Sequence, residues 1–326
     1  MQVSEFQIGS FNLFNLVNAE TQFHGRKRYS QEVFDKKIQW IGSQLDRLQG
    51  DIIGFQEIFH LEAFSEALEA SEWMKGADYV AAGITGNLPR VGIATKYRIL
   101  ESQVFEDFPS PLVMEGVDMP IKKFSRPVLK CLIEVHQDLR VSVYVVHLKS
   151  KRPDLSNGEE RANPVHLANG QVRSLVRRAM EARALRELLM KELRDRNHPV
   201  IVLGDVNDTG MSVTTRVVSG EPPHRRFPNK VKREIWDTLL YHVKDIQARQ
   251  SYHDYYFSHI HNGHHEALDH IMVSQELVRE NPKHIGSIGY VRMYNDHLVD
   301  ETLTDERVPL WQSDHGQVVA SIELRK

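Results

Sequence analysis

An α/β fold is the expectation from this sequence, and three observations carry it. Short apolar runs rich in β-branched residues recur from end to end, with few charges inside them, as in strands covered on at least one face. Long stretches between some of these runs switch to a helical spacing of apolar residues. No Pro/Gly-rich linker, internal repeat or low-complexity tract interrupts the chain, so residues 1–326 read as one large domain.

The elements follow in order. Phe6–Phe11 is the first strand, and Asn12 and Asn15 come directly after it. A helix is expected next. Ser30 is its N-cap, Phe34, Ile38, Ile41, Leu45 and Leu48 form its apolar stripe, and Gly50 ends it. Strands follow at Ile52–Gln56, Tyr79–Ala82, Val91–Thr95, Leu129–Val135 and Val141–Val146. The longest helix is expected from about Gly170 to Arg196. Val172, Leu175, Val176, Ala179, Ala182, Leu185, Leu189 and Leu193 are its buried face, and Arg173, Arg177, Arg178, Arg183 and Arg186 its solvated one. Val200–Leu203, Ala267–Val273 and Val318–Leu324 are the remaining strands. Residues 151–169 and 209–234 read as long loops, which in a compact domain usually have a function or no fixed order.

Bulk properties narrow the function classes. A net charge of −3 gives no global field for a polyanion, so any such site must be a local patch. The single cysteine, Cys131, excludes an intramolecular disulfide and lies in an apolar run. The N-terminal residues lack a signal-peptide pattern and no stretch reaches membrane-spanning length, so a cytoplasmic enzyme with no membrane association is expected. No obligate protein partner is evident.

The chemistry lies at the strand tips, because a rigid strand holds its end residue tightly. Glu57 ends one strand, as a hard oxygen ligand for a cation such as Mg²⁺ would. Asp205 and Asn207 follow Val200-Ile-Val-Leu-Gly at i, i+2 spacing, which on a strand points both the same way. Asp205 can orient or deprotonate a water, and Asn207 can donate to a phosphate oxygen. Asp314-His315 precedes the last strand, and Asp269 is the candidate to orient His315. His147, at another strand end, can donate a proton to a leaving oxygen, with Lys149, Lys151 and Arg152 supplying positive charge beside it. Together these are the parts for metal-assisted phosphoester hydrolysis. The Tyr- and His-rich segment 251–265 reads as a loop at the site mouth, with base stacking by Tyr252, Tyr255 and Tyr256 as the alternative. The basic run Arg225, Arg226, Lys230, Lys232 and Arg233 reads as a solvated loop.

The ordered set Ser10-Phe-Asn12, Gln56-Glu57, Arg90-Val-Gly-Ile-Ala-Thr-Lys96, Val146-His147-Leu-Lys-Ser, Gly204-Asp205-Val-Asn207, Leu268-Asp269-His-Ile and Ser313-Asp314-His315 resembles the endonuclease/exonuclease/phosphatase superfamily. The resemblance spans nearly the whole chain. It implies a four-layer α/β sandwich, two mixed β-sheets face to face with helices outside. It implies Mg²⁺ or Mn²⁺ held by Glu57 with Asp314 and Asn12. His147, Asp205, Asn207, Asp269 and His315 become the catalytic candidates, and Asn12, Arg90, Lys149, Lys151 and Arg152 the substrate-binding ones. The implied activity is hydrolysis of a phosphodiester in DNA or RNA; the alternative is a small phosphorylated metabolite or a lipid headgroup. Abasic-site nucleases often carry Asn-x-Asp at the first motif, where this chain has Asn12-Leu-Phe14.

Overall fold

A computed structural model of the chain describes residues 5–325 apart from 26, 85, 113–119, 138, 196–197, 249–255, 262 and 301–306. Its elements run β1 (Glu5–Leu16), α1 (Gln31–Leu48), β2 (Ile52–Ile58), α2 (Leu61–Glu69), β3 (Asp78–Ala81), β4 (Arg90–Thr95), β5 (Arg98–Asp107), β6 (Lys123–His136) and β7 (Leu139–His147). After them come α3 (Pro164–Asp195), β8 (Val200–Asp205), α4 (Val213–Ser219), α5 (Asn229–Trp236), β9 (Leu240–His242), α6 (Val243–Ala248), β10 (His259–His261), β11 (His264–Glu266), β12 (Asp269–Ser274), β13 (Gly286–Tyr294) and β14 (Gln317–Leu324).

Two six-stranded sheets, ordered β13-β14-β1-β2-β4-β3 and β5-β6-β7-β8-β12-β9, form the body. Each is mixed: β1–β2 and β7–β8 are parallel pairs and the other pairings are antiparallel. Period-2 alternation assigns their faces. Phe6, Ile8, Ile52 and Val318 of the first sheet meet Leu129, Val143, Val145, Leu203 and Ile271 of the second in one buried layer. The sheets close tightly at Gly54, where an added Cβ would lie 1.9 Å from Leu203 Cδ1. On the outer faces, Phe11, Ile53 and Phe55 pack on α1 and α2, while Tyr144, Val146 and Val202 pack on Leu185, Leu188 and Leu189 of α3. The result is the expected four-layer α/β sandwich.

α1 forms where the spacing predicts it. Ser30 Oγ accepts the Val33 N–H at 3.4 Å, and the apolar stripe is buried against β1 and β2. It ends one residue earlier than expected: Gln49, not Gly50, adopts the left-handed C-cap, with φ 51°. α3 departs more. It starts at Pro164, so part of the 151–169 stretch is helix. In its N-terminal half the expected faces are exchanged: Val172 and Leu175 are exposed, whereas Arg178 and Glu181 are buried. Both buried charges hold the loops around the site, as described below. The stretch 209–234 contains α4 and most of α5 rather than only loop. Strands β5, β9, β10, β11 and β13 were not expected. β5 is a largely exposed edge strand carrying Arg98, Glu101, Glu106 and Asp107, a charged composition that masks the strand pattern. Among the described residues no helix is long and apolar enough to cross a membrane.

Candidate active site

Strand direction brings the predicted tips to one end of the sandwich. β7 and β8 run parallel with His147 opposite Asp205, and β12 runs antiparallel to β8 with Asp269 opposite Asp205. The three side chains therefore form one row across three neighbouring strands. Their parity matches Val145, Leu203 and Ile271, so they point into the space between the sheets. Asn12 reaches the same space from β1: its Nδ2 donates to Asp205 Oδ2 at 3.3 Å. Ser313 Oγ donates to the Asn12 carbonyl at 2.7 Å and accepts the His315 N–H at 3.0 Å, which ties the Ser-Asp-His segment to the end of β1.

Asp205 Oδ2 is the meeting point. His147 Nε2 lies 3.3 Å from it and His315 Nε2 3.9 Å. Its Oδ1 accepts the Asn207 N–H at 2.8 Å. His315 Nδ1 sits 2.8 Å from Asp269 Oδ2, the orienting contact expected from the sequence. Asp269 is itself fixed, with its N–H donating to Ser258 Oγ at 3.1 Å. All of these side chains are nearly inaccessible to solvent. Asn207 does not reach the site by strand alternation. β8 ends at Asp205, and Asn207 takes φ 56°, turning its amide to donate to the Leu148 carbonyl at 3.0 Å.

Burial sets the electrostatics. It raises the Asp205 pKa to about 7; His315 opposes the rise and Asp269 and Glu57 add to it. It drives His147 well below the ordinary imidazole value, with Arg126 and His315 contributing, so His147 is neutral. Burial would also lower His315, but Asp269 through charge and hydrogen bond, then Asp205 and Asp314, outweigh it and hold its pKa well above the usual value. Two adjacent imidazoles are thus tuned in opposite directions, one neutral and one cationic.

Glu57 arrives by a different device. Its parity with Ile53 and Phe55 would turn it toward the helices. A bulge between Phe55 and Ile58 and a φ of 66° take it out of that alternation. Its Oε2 accepts the Asn15 N–H at 2.9 Å. Phe14 and Asn15 are also left-handed, at φ 48° and 57°. Such backbone outliers cost on the order of 1–3 kcal/mol each and persist where surrounding contacts hold them. Burial raises the Glu57 pKa and the Asp314 charge raises it further, outweighing Arg126, His315 and the Asn15 N–H, which oppose the rise.

The remaining candidates are placed as follows. Arg90 pairs with Ile58, beside Glu57, and its guanidinium lies 4.0 Å from Glu106. Lys149 is half-buried, and its N–H donates to Glu181 Oε2 at 2.7 Å. Lys151 Nζ is 2.9 Å from Glu266 and 3.9 Å from Asp208, so its charge is compensated. Arg152 is exposed and near enough to His24 to lower the pKa of that imidazole, after burial and Lys27. Tyr256 packs against the inter-sheet core rather than offering a free ring; Tyr252 and Tyr255 lie outside the described residues.

Several residues at the site were missed by sequence reasoning. Arg126 donates to the Leu148 carbonyl at 3.3 Å and lies within electrostatic range of Glu57 and His147. His259 stacks on His315 with ring centroids 4.9 Å apart, and its Nδ1–H donates to the Asp314 carbonyl at 3.0 Å. His297 donates to the His315 carbonyl at 3.0 Å, which gives Asn295-Asp-His297 a structural role. Buried Glu181 accepts from Ser125 and Lys149, and Arg178 donates to Asp208 and to the Lys149 carbonyl. Lys37 is fully buried on the apolar face of α1. Its position among Phe34, Ile38 and Ile41 was the one signal that the sequence offered for it.

The sequence matches the model of the endonuclease/exonuclease/phosphatase family over residues 10–315. The chain belongs to that family. Members of this family are phosphoester hydrolases, generally dependent on a divalent metal. No curated protein matches the sequence. Similar solved structures include an endonuclease/exonuclease/phosphatase family protein from Bacteroides thetaiotaomicron, at 17% identity and TM-score 0.58, covering 99% of each chain. D. rerio TDP2 in complex with a single-strand DNA product is similar at 15% identity and TM-score 0.57, covering 98% of this chain and 100% of that one. A mannosyl-6-phosphatase from Bacteroides thetaiotaomicron is similar at 17% identity and TM-score 0.52, covering 97% and 99%.

The residues present suit the divalent metal of this family. Glu57 and Asp314 are hard oxygen donors of like charge, and the half-buried Glu57 carboxylate is disfavoured in its ionised form by its surroundings, which a cation would relieve. Asn12 adds an amide oxygen, which also accepts the Phe14 N–H at 3.0 Å. Two neighbouring sets, Asp205–Asp269–His315 and His259–Asp314–His315, each bring their ligand atoms within 4.8 Å of one another.

Proposed function

We propose that this chain is a phosphodiester hydrolase acting on nucleic acid, with Glu57, Asp314 and Asn12 holding Mg²⁺ or Mn²⁺. The observation that carries the reading is the convergence of His147, Asn12 and the Asp269-held His315 on one oxygen of Asp205. A metal ion held by Glu57, Asp314 and Asn12 would supply positive charge to the phosphate oxygens. The chain's own residues do the rest. Asp205 orients the attacking water and takes its proton, and the raised pKa makes it a stronger base than a surface carboxylate. His147, neutral with its Nε2 3.3 Å from Asp205 Oδ2, packs against that carboxylate. The acid role expected of His147 passes to His315, whose cationic ring stabilises charge on the phosphoryl oxygens and gives its proton to the leaving oxygen. Asn207 donates its remaining amide hydrogen to a phosphate oxygen.

Arg126, Lys149 and Arg152 supply the local positive charge that a slightly acidic protein needs to hold a nucleic-acid backbone. The DNA complex of the similar TDP2 supports the same substrate class. One observation favours a small phosphorylated metabolite instead: Lys151, expected to face a backbone, has its charge taken by Glu266 and Asp208. A panel of plasmid DNA, single-stranded DNA, RNA, a sugar phosphate, sphingomyelin and inositol phosphates with Mg²⁺ or Mn²⁺ tests both. Cleavage of DNA or RNA is the expected result. Strong turnover of a small phosphate ester with none of either polymer would replace the nuclease reading with the second one.

A further inference from the structure

A fully buried lysine needs a reason, because the interior solvates its charge poorly. Lys37 sits on the apolar face of α1 with none of its surface exposed. Its Nζ donates to the carbonyl oxygen of Phe14 at 3.0 Å. The rings of Phe14 and Tyr29 lie 5.7 and 5.6 Å from the same nitrogen. Tyr29, also buried, donates its hydroxyl to the same Phe14 carbonyl at 3.3 Å. Two buried donors from separate elements therefore converge on a single peptide oxygen.

The other end of that peptide is the Asn15 N–H, and it donates to Glu57 Oε2 at 2.9 Å. A trans peptide is a rigid plane whose carbonyl and N–H point in opposite directions. Fixing the oxygen fixes the direction of the hydrogen. Donors at the oxygen also polarise the unit, which strengthens its N–H as a donor to a carboxylate. The plane joins two left-handed residues, Phe14 at φ 48° and Asn15 at φ 57°, a conformation that asparagine tolerates and phenylalanine does not favour by itself. His24 holds the Asn15 side chain at 2.8 Å, and Asn12 Oδ1 accepts the Phe14 N–H at 3.0 Å. The turn is thus restrained on every side, and its restraint ends at Glu57.

We propose that Lys37 is a positioning residue for the metal-holding carboxylate: with Tyr29 it clamps the Phe14–Asn15 peptide and so aims the Asn15 N–H at Glu57. This rests on the reading of Glu57 as a metal ligand. Partners of a metal ligand commonly change affinity by about 10- to 100-fold when removed. The test is Mn²⁺ binding to the full chain, followed by water-proton relaxation, with each variant held well below its own melting temperature. Lys37→Met should raise the Mn²⁺ Kd by about 10-fold. Tyr29→Phe, which loses one donor and little volume, should raise it by about 3-fold. In a Glu57→Gln background neither change should weaken binding further, because both act through that carboxylate. A purely structural lysine would lower the melting temperature and leave the Kd of the folded protein within twofold. That result, with Glu57→Gln weakening binding as expected, overturns the positioning role alone. Unchanged Mn²⁺ affinity in Glu57→Gln itself overturns the ligand assignment and the inference together. Should Lys37→Met fail to fold, Tyr29→Phe decides by the same criterion.

Discussion

Asp269→Asn removes one charge from the candidate active site and almost no volume. The carboxylate lies 2.8 Å from His315 Nδ1 and is inaccessible to solvent, and the residue's backbone N–H donates to Ser258 Oγ. After burial, it is the largest influence on the His315 ring. A hydrogen bond to a charged group is worth about 1.5–3 kcal/mol. If that stabilisation acts in the transition state, kcat should fall by about 10- to 100-fold. His315→Ala, which removes the ring altogether, should cost about 10²- to 10⁴-fold. The sign of the pH effect is also fixed. Asp269 raises the His315 pKa, so the asparagine variant lowers it, and the cationic fraction at neutral pH shrinks. Acidification should then recover part of the variant's lost rate relative to wild type. Steady-state kcat and KM on a chromogenic phosphodiester at saturating Mn²⁺, from pH 5.5 to 8.5 (roughly the range in which imidazoles titrate), test this. Circular dichroism melting checks the fold. Wild-type kcat and an unchanged pH profile in Asp269→Asn would refute the role.

Three further outcomes are expected. Gly204→Ala should destabilise the protein and depress kcat together, because φ is 136° there and a Cβ would lie 2.1 Å from the Val146 carbonyl oxygen, next to Asp205; an unaltered melting temperature would contradict the geometry. Burial opposes ionisation of Glu192, but His198, Lys130 and Ser142 lower its pKa to about 2 from 4.5. Its contribution, at most about 3 kcal/mol, is therefore present above pH 4.5 and lost as pH falls through about 2, so the urea-measured gap between wild type and Glu192→Gln should close over that window. Burial pushes the Cys131 thiol up to about 12, so a thiolate-selective reagent at about pH 8 should label it only after unfolding, and fast labelling of the native protein would show an opening of the inter-sheet core.

Much of the site was legible because each chemical residue lies at or near the end of an apolar run, although β1 and β2 continue past Asn12 and Glu57 to Leu16 and Ile58. Asn12, Glu57, His147, Asp205, Asp269, Asp314 and His315 were all named from such runs, and the structure gathers them at one end of the sandwich. Two local readings of side-chain direction failed for identifiable reasons. The i, i+2 rule for Asp205 and Asn207 assumed that the strand continues, whereas β8 stops at Asp205. The amphipathic reading of α3 assumed that charge faces solvent, whereas Arg178 and Glu181 turn inward to satisfy Asp208, Ser125 and the loop after β7.

The sequence alone determined the nine expected strands, the two long helices and the chemical character of the strand tips, because hydrophobic periodicity and capping are properties of neighbouring residues. The tertiary structure decided which tips touch, which imidazole is neutral and which cationic, and what Lys37, Arg126 and His259 contact. Those outcomes depend on pairings between distant residues, such as Asn12 with Asp205 across 193 positions. They depend equally on how much water each group loses when the sheets close, and a one-dimensional pattern contains neither quantity.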